Sequence, residues 1–272
     1  MTIDDFARRF QAGLEAMAHL PLPRARPHYD ALCASFAPPH PADMTIRQAR
    51  LAGVPIRRYR PRDHRAGVVV YVHGGGFTLG SLDSHDGVAA GLAEALGREV
   101  VSVGYRRLPE ARYGEALDDC HAVAEALDPV ALTGDSAGGR LVLDLAVRTS
   151  ARCPLGVIYP VIGRPTREAL GPDAPLLSRR DVMDAWELIA AEASHDRDLA
   201  PPTACVEALA VSRDPLTRPL EMALARWRGA GAQVGYHQAE NMLHGCLHGR
   251  EALPEMQRAW QGFCAGLRRR LP

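Results

Sequence analysis

The sequence predicts an α/β fold in which a mostly parallel sheet carries helices on both faces and a small helical cap. From about residue 51 onwards, segments with strand periodicity alternate with segments of helical periodicity. The central strand segments are apolar throughout, as in sheets that are covered on both faces. With 272 residues, the chain is long enough to enclose one large hydrophobic core.

The order of the segments defines this core. The predicted strands are VPIRRYR at 54–60, GVVVYVH at 67–73, EVVSVGY at 99–105, PVALTGD at 129–135, LGVIYP at 155–160, and segments near 205–211 and 232–237. The predicted helices lie near 86–97, 115–127, 137–149, 217–230 and 251–269. The first strand is expected at an edge of the sheet. Because ligands bind at the carboxyl ends of the strands in such sheets, functional residues are sought there.

Two regions are expected outside the core. Phe6, Phe10, Leu14 and Met17 form one apolar stripe and predict an N-terminal helix, whereas the proline-rich stretch 21–41 is expected to be a linker. The predicted organisation is an N-terminal cap helix and linker at 1–45, a core at 46–163 and 201–272, and a cap insertion at 164–200.

The composition excludes several classes of function. The 32 basic and 32 acidic residues balance, and the arginines are spread along the chain, so no footprint for nucleic acid is present. No apolar run approaches the ~20 residues of a membrane span. All the basic residues are arginine, which excludes lysine-dependent chemistry such as Walker-type phosphate loops and Schiff-base catalysis.

The cysteines and the N-terminus indicate a cytoplasmic protein. The six cysteines are scattered without Cys-x-x-Cys spacing, which is typical of reduced thiols rather than of a disulfide framework or a zinc site. The first residues, MTIDDFARRF, lack the basic start and apolar centre of a secretory signal. The oligomeric state, a homodimer included, is left open.

The stretch GDSAG, at 134–138, carries the strongest chemical signal. It follows a predicted strand and opens a predicted helix, which is the context that a Gly-x-Ser-x-Gly nucleophile motif requires. Gly134 and Gly138 would allow a turn too tight for larger side chains, with the hydroxyl of Ser136 exposed. A glycine-rich turn in this position is often only a turn, but the context favours Ser136 as a nucleophile.

A serine nucleophile needs a base, and the order serine, acid, histidine along the chain leaves His237, His244 and His248 as candidates. His237 lies inside a strand pattern and is interpreted as a sheet residue. His244 is favoured because it follows the last strand and precedes a glycine that would let the ring turn inward. His248 could form a metal-binding pair with His244, but no third ligand of suitable spacing is apparent.

The acid is predicted to be Asp214, which comes directly after the strand near 205–211 and before a proline. An aspartate in that position is commonly only a helix cap. Glu240 and Asp198 are rivals, although Glu240 is only four residues from His244. Position and order favour Asp214.

Three glycines follow His73 at the end of an apolar strand, where bare amides could approach a substrate carbonyl. Such amides stabilise the oxyanion of a tetrahedral intermediate. The amides of the loop from His73 to Gly76, together with that of Ala137, which follows the nucleophile, are therefore predicted to form an oxyanion hole. The alternative of a phosphate-binding loop is weak because the spacing is not Gly-x-Gly-x-x-Gly.

Taken together, the motifs HGGGF, YRRLPE, GDSAGG, SRDPL and NMLHG resemble the bacterial hormone-sensitive-lipase-like branch of the α/β-hydrolases, over about residues 50–270. The resemblance implies an α/β-hydrolase fold and a serine carboxylesterase that acts on short acyl esters, needs no cofactor and has a helical cap. It also implies the triad Ser136, Asp214 and His244, with Gly74, Gly75 and Ala137 as the oxyanion donors. Arg107, Leu108, Arg140, Asn241 and Cys246 depart from the family pattern and put the shape of the substrate in doubt, not the reaction class.

Two questions about the substrate stay open at this point. Phe77, Met183 and Trp186 are predicted to line the acyl pocket, and bulky side chains there would favour acetyl to hexanoyl esters. Met183 and Trp186 share one apolar face of a predicted helix in the insertion with Val182 and Ile189, and such a face is also typical of plain packing against the core. The same triad would serve an acyltransferase, an amidase or a lactonase, and a non-catalytic ligand receptor is a more distant alternative.

Overall fold

The computed structural model describes residues 1–193 and 200–272, and its centre is an eight-stranded sheet. The strands are β1 (Thr45–Leu51), β2 (Val54–Arg60), β3 (Arg65–Val72), β4 (Arg98–Val103), β5 (Ala131–Asp135), β6 (Leu155–Ile158), β7 (Cys205–Arg213) and β8 (Gln233–Leu243). Their spatial order is β1-β2-β4-β3-β5-β6-β7-β8. From β4 to β8 in this order, neighbouring strands pair in parallel. β1 pairs with β2, and β2 with β4, in antiparallel fashion. The prediction of a mostly parallel sheet is confirmed.

Helices cover both faces of this sheet. They are α1 (Ile3–Met17), α2 (Leu22–Ala34), α3 (Asp86–Leu96), α4 (Tyr113–Leu127), α5 (Ser136–Thr149), α6 (Arg179–Glu187), α7 (Thr217–Gly229) and α8 (Pro254–Arg270), with a 3₁₀ helix at Cys246–Ala252. One buried apolar cluster joins the sheet to α4, α5 and α7, and a second joins it to α1, α2, α3 and α8. Alternating burial on the two faces therefore makes two cores, one on each side of the sheet.

Two predictions about the N-terminal part were wrong. The stretch expected to be a linker contains helix α2, which tolerates Pro23 because a proline in the first helical turn removes an N–H that has no partner there. The strand VPIRRYR is not at the edge, because β1 pairs with it in antiparallel fashion. The residues of β1 are mostly exposed, so they carry no apolar alternation by which the strand could be recognised.

The N-terminal helices and the segment around α6 lie over the carboxyl ends of the central strands. Side chains from α1, α2 and α6 line the same cavity as Ser136, which lies at the turn between β5 and α5. Among the described residues, none of the helices has the length and apolar character needed to cross a membrane.

Candidate active site

Ser136 lies at the sharp turn between β5 and α5. Its φ is +51°, a left-handed conformation that is rare for a residue with a side chain and that typifies strained functional turns. A Cβ on Gly138 would lie 2.1 Å from the Val72 carbonyl oxygen, and one on Gly134 would lie 2.6 Å from the Gly138 carbonyl oxygen. Both positions therefore require glycine, as the motif predicts.

The two predicted partners of Ser136 meet it at the strand ends. The Oγ of Ser136 is 2.9 Å from Nε2 of His244, and Nδ1 of His244 is 2.7 Å from Oδ2 of Asp214. Because an ionised carboxylate only accepts hydrogen bonds, Nδ1 carries the ring proton, and Nε2 accepts the hydrogen bond from the serine hydroxyl. Asp214 is buried and also accepts a 2.8 Å bond from the Leu216 amide, which fixes its orientation.

The rival residues lie elsewhere or lack the geometry. His237 points away along β8, where its Nε2 is 2.6 Å from Oε1 of the buried Glu207. Glu240 is exposed, and Asp198 lies outside the described residues. His248 lines the cavity but packs with its ring 4.7 Å from that of His85. Within the described part of the chain, no group of three or more histidine, cysteine, aspartate or glutamate side chains is arranged to hold a metal ion.

The glycine loop requires one correction to the predicted oxyanion hole. The amide of Gly74 donates to Oδ1 of Asp135 at 3.0 Å, so it is directed towards the core and not towards a substrate. Gly75 and Gly76 line the cavity, and their amides have no hydrogen-bond partner within residues 1–193 and 200–272. Gly75 has φ +107°, and a Cβ there would lie 2.2 Å from the Gly80 nitrogen. Ala137 lies in the first turn of α5, where amides lack intrahelical acceptors.

Asp135 connects this loop to the turn at Ser136. Its carboxylate is buried and accepts hydrogen bonds from the Tyr71 hydroxyl at 2.6 Å and from the Gly74 amide, and it lies 3.3 Å from Nε2 of His85. Burial alone would raise the pKa of this carboxyl, but His85 and Tyr71 hold the pKa well below its usual range. The ionised carboxylate therefore holds the strand end before Ser136 against the first glycine of the loop.

Two further histidines behind the loop are neutral. Burial, reinforced by the nearby His85, lowers the pKa of His73 to about 3 and that of His248 to about 3. The carbonyl of His73 accepts a 2.9 Å bond from the Tyr105 hydroxyl, and the two rings stack at 4.4 Å. Tyr105 thus holds the His73 backbone and ring in place behind the loop.

Helix α2 is tied to the far end of the glycine loop by Arg26. Its guanidinium donates to the carbonyl oxygens of Thr78 and Leu108 at 2.8 and 3.0 Å, and it forms an ion pair with Glu110 at 2.6 Å. On the same helix, Asp30 accepts a 2.6 Å bond from the Ser81 hydroxyl. The N-terminal segment therefore contributes to the position of the loop as well as to the cover.

A cavity of about 230 Å³ adjoins Ser136 and His244, with walls that are mainly apolar. Phe77, one of the residues predicted to line the acyl pocket, lies in its wall. Met183 does not, because it projects from α6 into solvent with 39% of its surface exposed. Trp186 is also absent from the walls, because it is buried beneath α6 with the Arg140 guanidinium 5.3 Å from its ring centre.

Other residues provide the cover that the prediction assigned to Met183 and Trp186. The apolar lining side chains from the N-terminal and insertion segments are Phe10, Leu14, Tyr29, Leu176, Leu177, Val182 and Ala185. The stripe of α1 indicated Phe10 and Leu14. Nothing in the sequence indicates Tyr29 as a residue of the cavity wall, because the stretch that contains it is expected to be a linker and not a helix. The place of Asp135 inside GDSAG, next to Ser136, is the signal that could have found it.

Comparison with known proteins places the chain in a family. A family model for the alpha/beta hydrolase fold matches residues 69–248. The carboxylesterase NlhH of Mycobacterium tuberculosis is 32% identical over 266 residues, covering 84% of this chain and 82% of the relative. Several other relatives match over less than half of their length. Among them, the ethyl acetate hydrolase of Pseudomonas putida is 39% identical over 129 residues, which cover 40% of this chain and 41% of that protein.

Solved structures of esterases share the whole architecture. A mutant of the esterase E40 superimposes with a TM-score of 0.87 at 23% identity, covering 99% of each chain. The esterase of Pyrobaculum calidifontis superimposes with a TM-score of 0.77 at 26% identity, covering 96% of this chain and 97% of that one. The chain therefore belongs to the α/β-hydrolase family and is a carboxylic ester hydrolase, as the resemblance of its motifs to the hormone-sensitive-lipase-like branch implied.

Proposed function

We propose that this enzyme is a serine carboxylesterase that cleaves short-chain acyl esters through an acyl-enzyme on Ser136. The observation that carries the proposal is the continuous chain of two short hydrogen bonds from Ser136 through His244 to the buried Asp214. A serine hydroxyl becomes a useful nucleophile only when a base takes its proton and a third group orients that base.

In the first half of the reaction, Nε2 of His244 takes the proton as Oγ of Ser136 bonds to the ester carbonyl carbon. The carbonyl oxygen becomes an oxyanion, for which the amides of Gly75, Gly76 and Ala137 are the proposed donors. When the tetrahedral intermediate collapses, the bond to the alcohol oxygen breaks, and His244 returns the proton to the leaving alcohol. Asp214 stabilises the imidazolium that forms between these two transfers.

In the second half, a water molecule replaces the alcohol. His244 takes a proton from the water as its oxygen bonds to the acyl carbon, and the second tetrahedral intermediate releases the carboxylic acid and restores the Ser136 hydroxyl. The three protein groups end as they began, so no external oxidant, reductant or cofactor enters the balance.

The size of the cavity supports a short acyl group. At about 230 Å³ it is smaller than the roughly 300–1,000 Å³ of pockets that hold drug-sized ligands. Its walls include Phe10, Phe77 and Val182, which are buried in the fold. Because overpacking such a wall costs about 1–3 kcal/mol, acyl chains beyond hexanoyl are expected to react poorly.

The direct test replaces Ser136 by alanine and measures hydrolysis of p-nitrophenyl acetate. We expect a loss of about 10⁴-fold or more in kcat. The matched control is Ser150→Ala: Ser150 also has a positive φ, of +50°, but lies exposed at the opposite end of α5. Retention of the wild-type rate by Ser136→Ala, or an equal loss in both variants, would contradict the proposal.

A further inference from the structure

The tyrosines of this protein divide into two groups. Of the seven, five donate their hydroxyl to a carboxylate or carbonyl oxygen of the fold: Tyr59, Tyr71, Tyr105, Tyr113 and Tyr236. The remaining two are Tyr29 and Tyr159, and both line the cavity beside Ser136. Because buried tyrosine hydroxyls usually have a hydrogen-bond partner, an exception next to a nucleophile calls for an explanation.

Tyr159 is the more informative of the two. It is 1% exposed, and its hydroxyl has no hydrogen bond to any residue in the described parts of the chain. Ser102 Oγ is an example of a polar atom that is fully enclosed by protein without a hydrogen-bond partner, and the Tyr159 hydroxyl is not enclosed in this way. A hydroxyl that has no hydrogen bond and is not fully enclosed by protein faces open space. The open space beside Tyr159 is the cavity at Ser136.

The ring of Tyr159 is held in a fixed place next to the proposed general base. Its centroid is 4.4 Å from that of His244, and the two planes are tilted by 51°. The residue follows β6 directly, has φ +34°, and donates its amide to the Leu209 carbonyl oxygen at 2.7 Å. The phenol is therefore a rigid group at the reacting centre and not a side chain that is free to reorient.

Tyr29 differs because its hydroxyl already has a neighbour. It lies on α2, where the thiol of Cys33 interacts with its phenol, and Cys33 in turn lies 3.5 Å from Nε2 of His248.

The phenols of Tyr29 and Tyr159 are both buried, which raises their pKa values well above the ordinary value. Tyr159 thus stays protonated and is a hydrogen-bond donor throughout the working pH range.

We infer that the hydroxyl of Tyr159 donates a hydrogen bond to the substrate, and that the preferred substrates are esters with an additional acceptor oxygen close to the scissile ester group. An ether, ketone, hydroxyl or second ester oxygen would serve. The inference rests on the proposed function, because it places the substrate at Ser136. It assigns Tyr159 to substrate selection, since a purely hydrocarbon acyl or alkyl group would leave this donor without an acceptor.

The test compares pairs of esters that differ by one oxygen in place of one methylene. For the acyl side, the pair is p-nitrophenyl methoxyacetate and p-nitrophenyl butanoate. For the alcohol side, the pair is 2-methoxyethyl butanoate and butyl butanoate. Each pair is hydrolysed by the wild type and by Tyr159→Phe, and kcat/KM is compared as a ratio of ratios, so that the intrinsic reactivity of each ester cancels.

We expect Tyr159→Phe to lower kcat/KM for the oxygen-containing ester by about 3- to 10-fold more than for its hydrocarbon partner, in at least one pair. The pair that responds identifies the side on which the acceptor binds. An equal effect on both members of both pairs would overturn the inference, because the hydroxyl would then not distinguish esters that carry the additional acceptor oxygen from esters that lack it. The control variant Tyr236→Phe removes a hydroxyl that is bonded to Glu221 instead, and should leave both ratios unchanged.

The stability of the same variant is a second readout. Because the Tyr159 hydroxyl has no partner in the described protein, its removal should shift the melting temperature by no more than about 2 °C. A large drop would show that the fold uses the hydroxyl, and would contradict the inference. The proposed function is tested separately: if Ser136→Ala abolishes hydrolysis of the butanoate ester while the ratios stay at one, only the inference about Tyr159 fails.

Discussion

The strand ends that carry the proposed chemistry and the helices that cover them are built in different ways. Around Ser136, positions are set by backbone turns and buried hydrogen bonds, such as those that converge on the Asp135 carboxylate. The cover is set by apolar contacts from α1, α2 and α6, and some of its side chains, such as Met183, are exposed to solvent.

This difference separates two kinds of effect. Hydrogen bonds are directional, so a substitution at the strand ends should change the rate of the chemical step. Apolar packing is adaptable, so a substitution in the cover should change which acyl chain fits while the chemistry continues. Substitutions in the two regions test this division, and the pH dependence of stability tests the burial of the groups behind the glycine loop.

The largest effect is expected at the strand ends, for Asp214→Asn. The amide would keep the shape of the carboxylate but would favour the wrong tautomer of His244 and could not stabilise the imidazolium, so kcat should fall by about 10³- to 10⁴-fold. Steady-state kinetics with p-nitrophenyl acetate measures this loss. Glu240→Gln removes the exposed rival carboxylate and serves as the control. A comparable loss in that variant would refute the assignment of the acid.

The buried histidines behind the glycine loop should make stability depend on pH. His73 and His248 have pKa values lowered to about 3 in the fold, against 6.5 for the ordinary side chain. Below pH 6.5 the unfolded chain therefore binds more protons than the folded one, and the free energy of unfolding falls as the pH falls. Each histidine should account for about 2 kcal/mol between about pH 7 and about pH 5.

Urea denaturation at the two pH values measures this fall. In His248→Gln only His73 remains of the pair. The part of the fall in unfolding free energy that these histidines cause should therefore be about half as large. Lowered pKa values of buried carboxyls, such as that of Asp135, act below this window and do not contribute to it. If the unfolding free energy of His248→Gln falls as much between the two pH values as that of the wild type, His248 is protonated in the fold, contrary to this prediction.

Asp135→Asn tests whether the strand ends position the oxyanion donors. The amide cannot accept from Tyr71, Gly74 and His85 as an ionised carboxylate does, so the glycine loop should lose its fixed place. We expect kcat to fall by about 10- to 100-fold with little change in KM. Glu207→Gln alters another buried carboxylate, bonded to His237 and Arg270, and should leave kcat unaltered. If KM rises and kcat does not fall, Asp135 acts on binding instead.

The smallest effect is expected in the cover, where neighbouring residues of α6 give a matched pair. Val182 lines the cavity and Met183 faces solvent. Val182→Ala should therefore move the preferred acyl chain one or two carbons longer, with changes of about 3- to 10-fold in relative kcat/KM. Met183→Ala should leave the chain-length profile as it is. A panel of p-nitrophenyl esters from acetyl to decanoyl compares the two, and identical profiles for both variants would contradict the assignment of the pocket wall.

The same division explains how much the sequence predicts. The turn at Ser136 is local: GDSAG specifies within five residues a strand end, a left-handed serine and a helix start. The loop of His73 and its glycines is equally local. Only the partner of the Gly74 amide was missed, because the contact with Asp135 joins residues that lie 61 positions apart.

The cover could not be predicted in this way. An apolar stripe shows which face of a helix is buried but not what it is buried against, so Trp186 was assigned to the pocket although it packs beneath α6 towards Arg140. Tyr29 lies on a helix that its prolines concealed. Tyr159 follows an apolar strand, and nothing in its neighbours along the chain indicates a hydroxyl without a partner.

The most direct test of the central claim is covalent labelling with a fluorophosphonate, followed by mass spectrometry of the digested protein. A serine activated by His244 attacks phosphorus and releases fluoride, so we expect one phosphonyl group per chain, on the peptide that contains Ser136. The label should be absent from Ser136→Ala, and p-nitrophenyl acetate hydrolysis should fall in step with labelling. Hydrolysis that persists in a fully labelled protein, or labelling confined to another residue, would contradict Ser136 as the nucleophile.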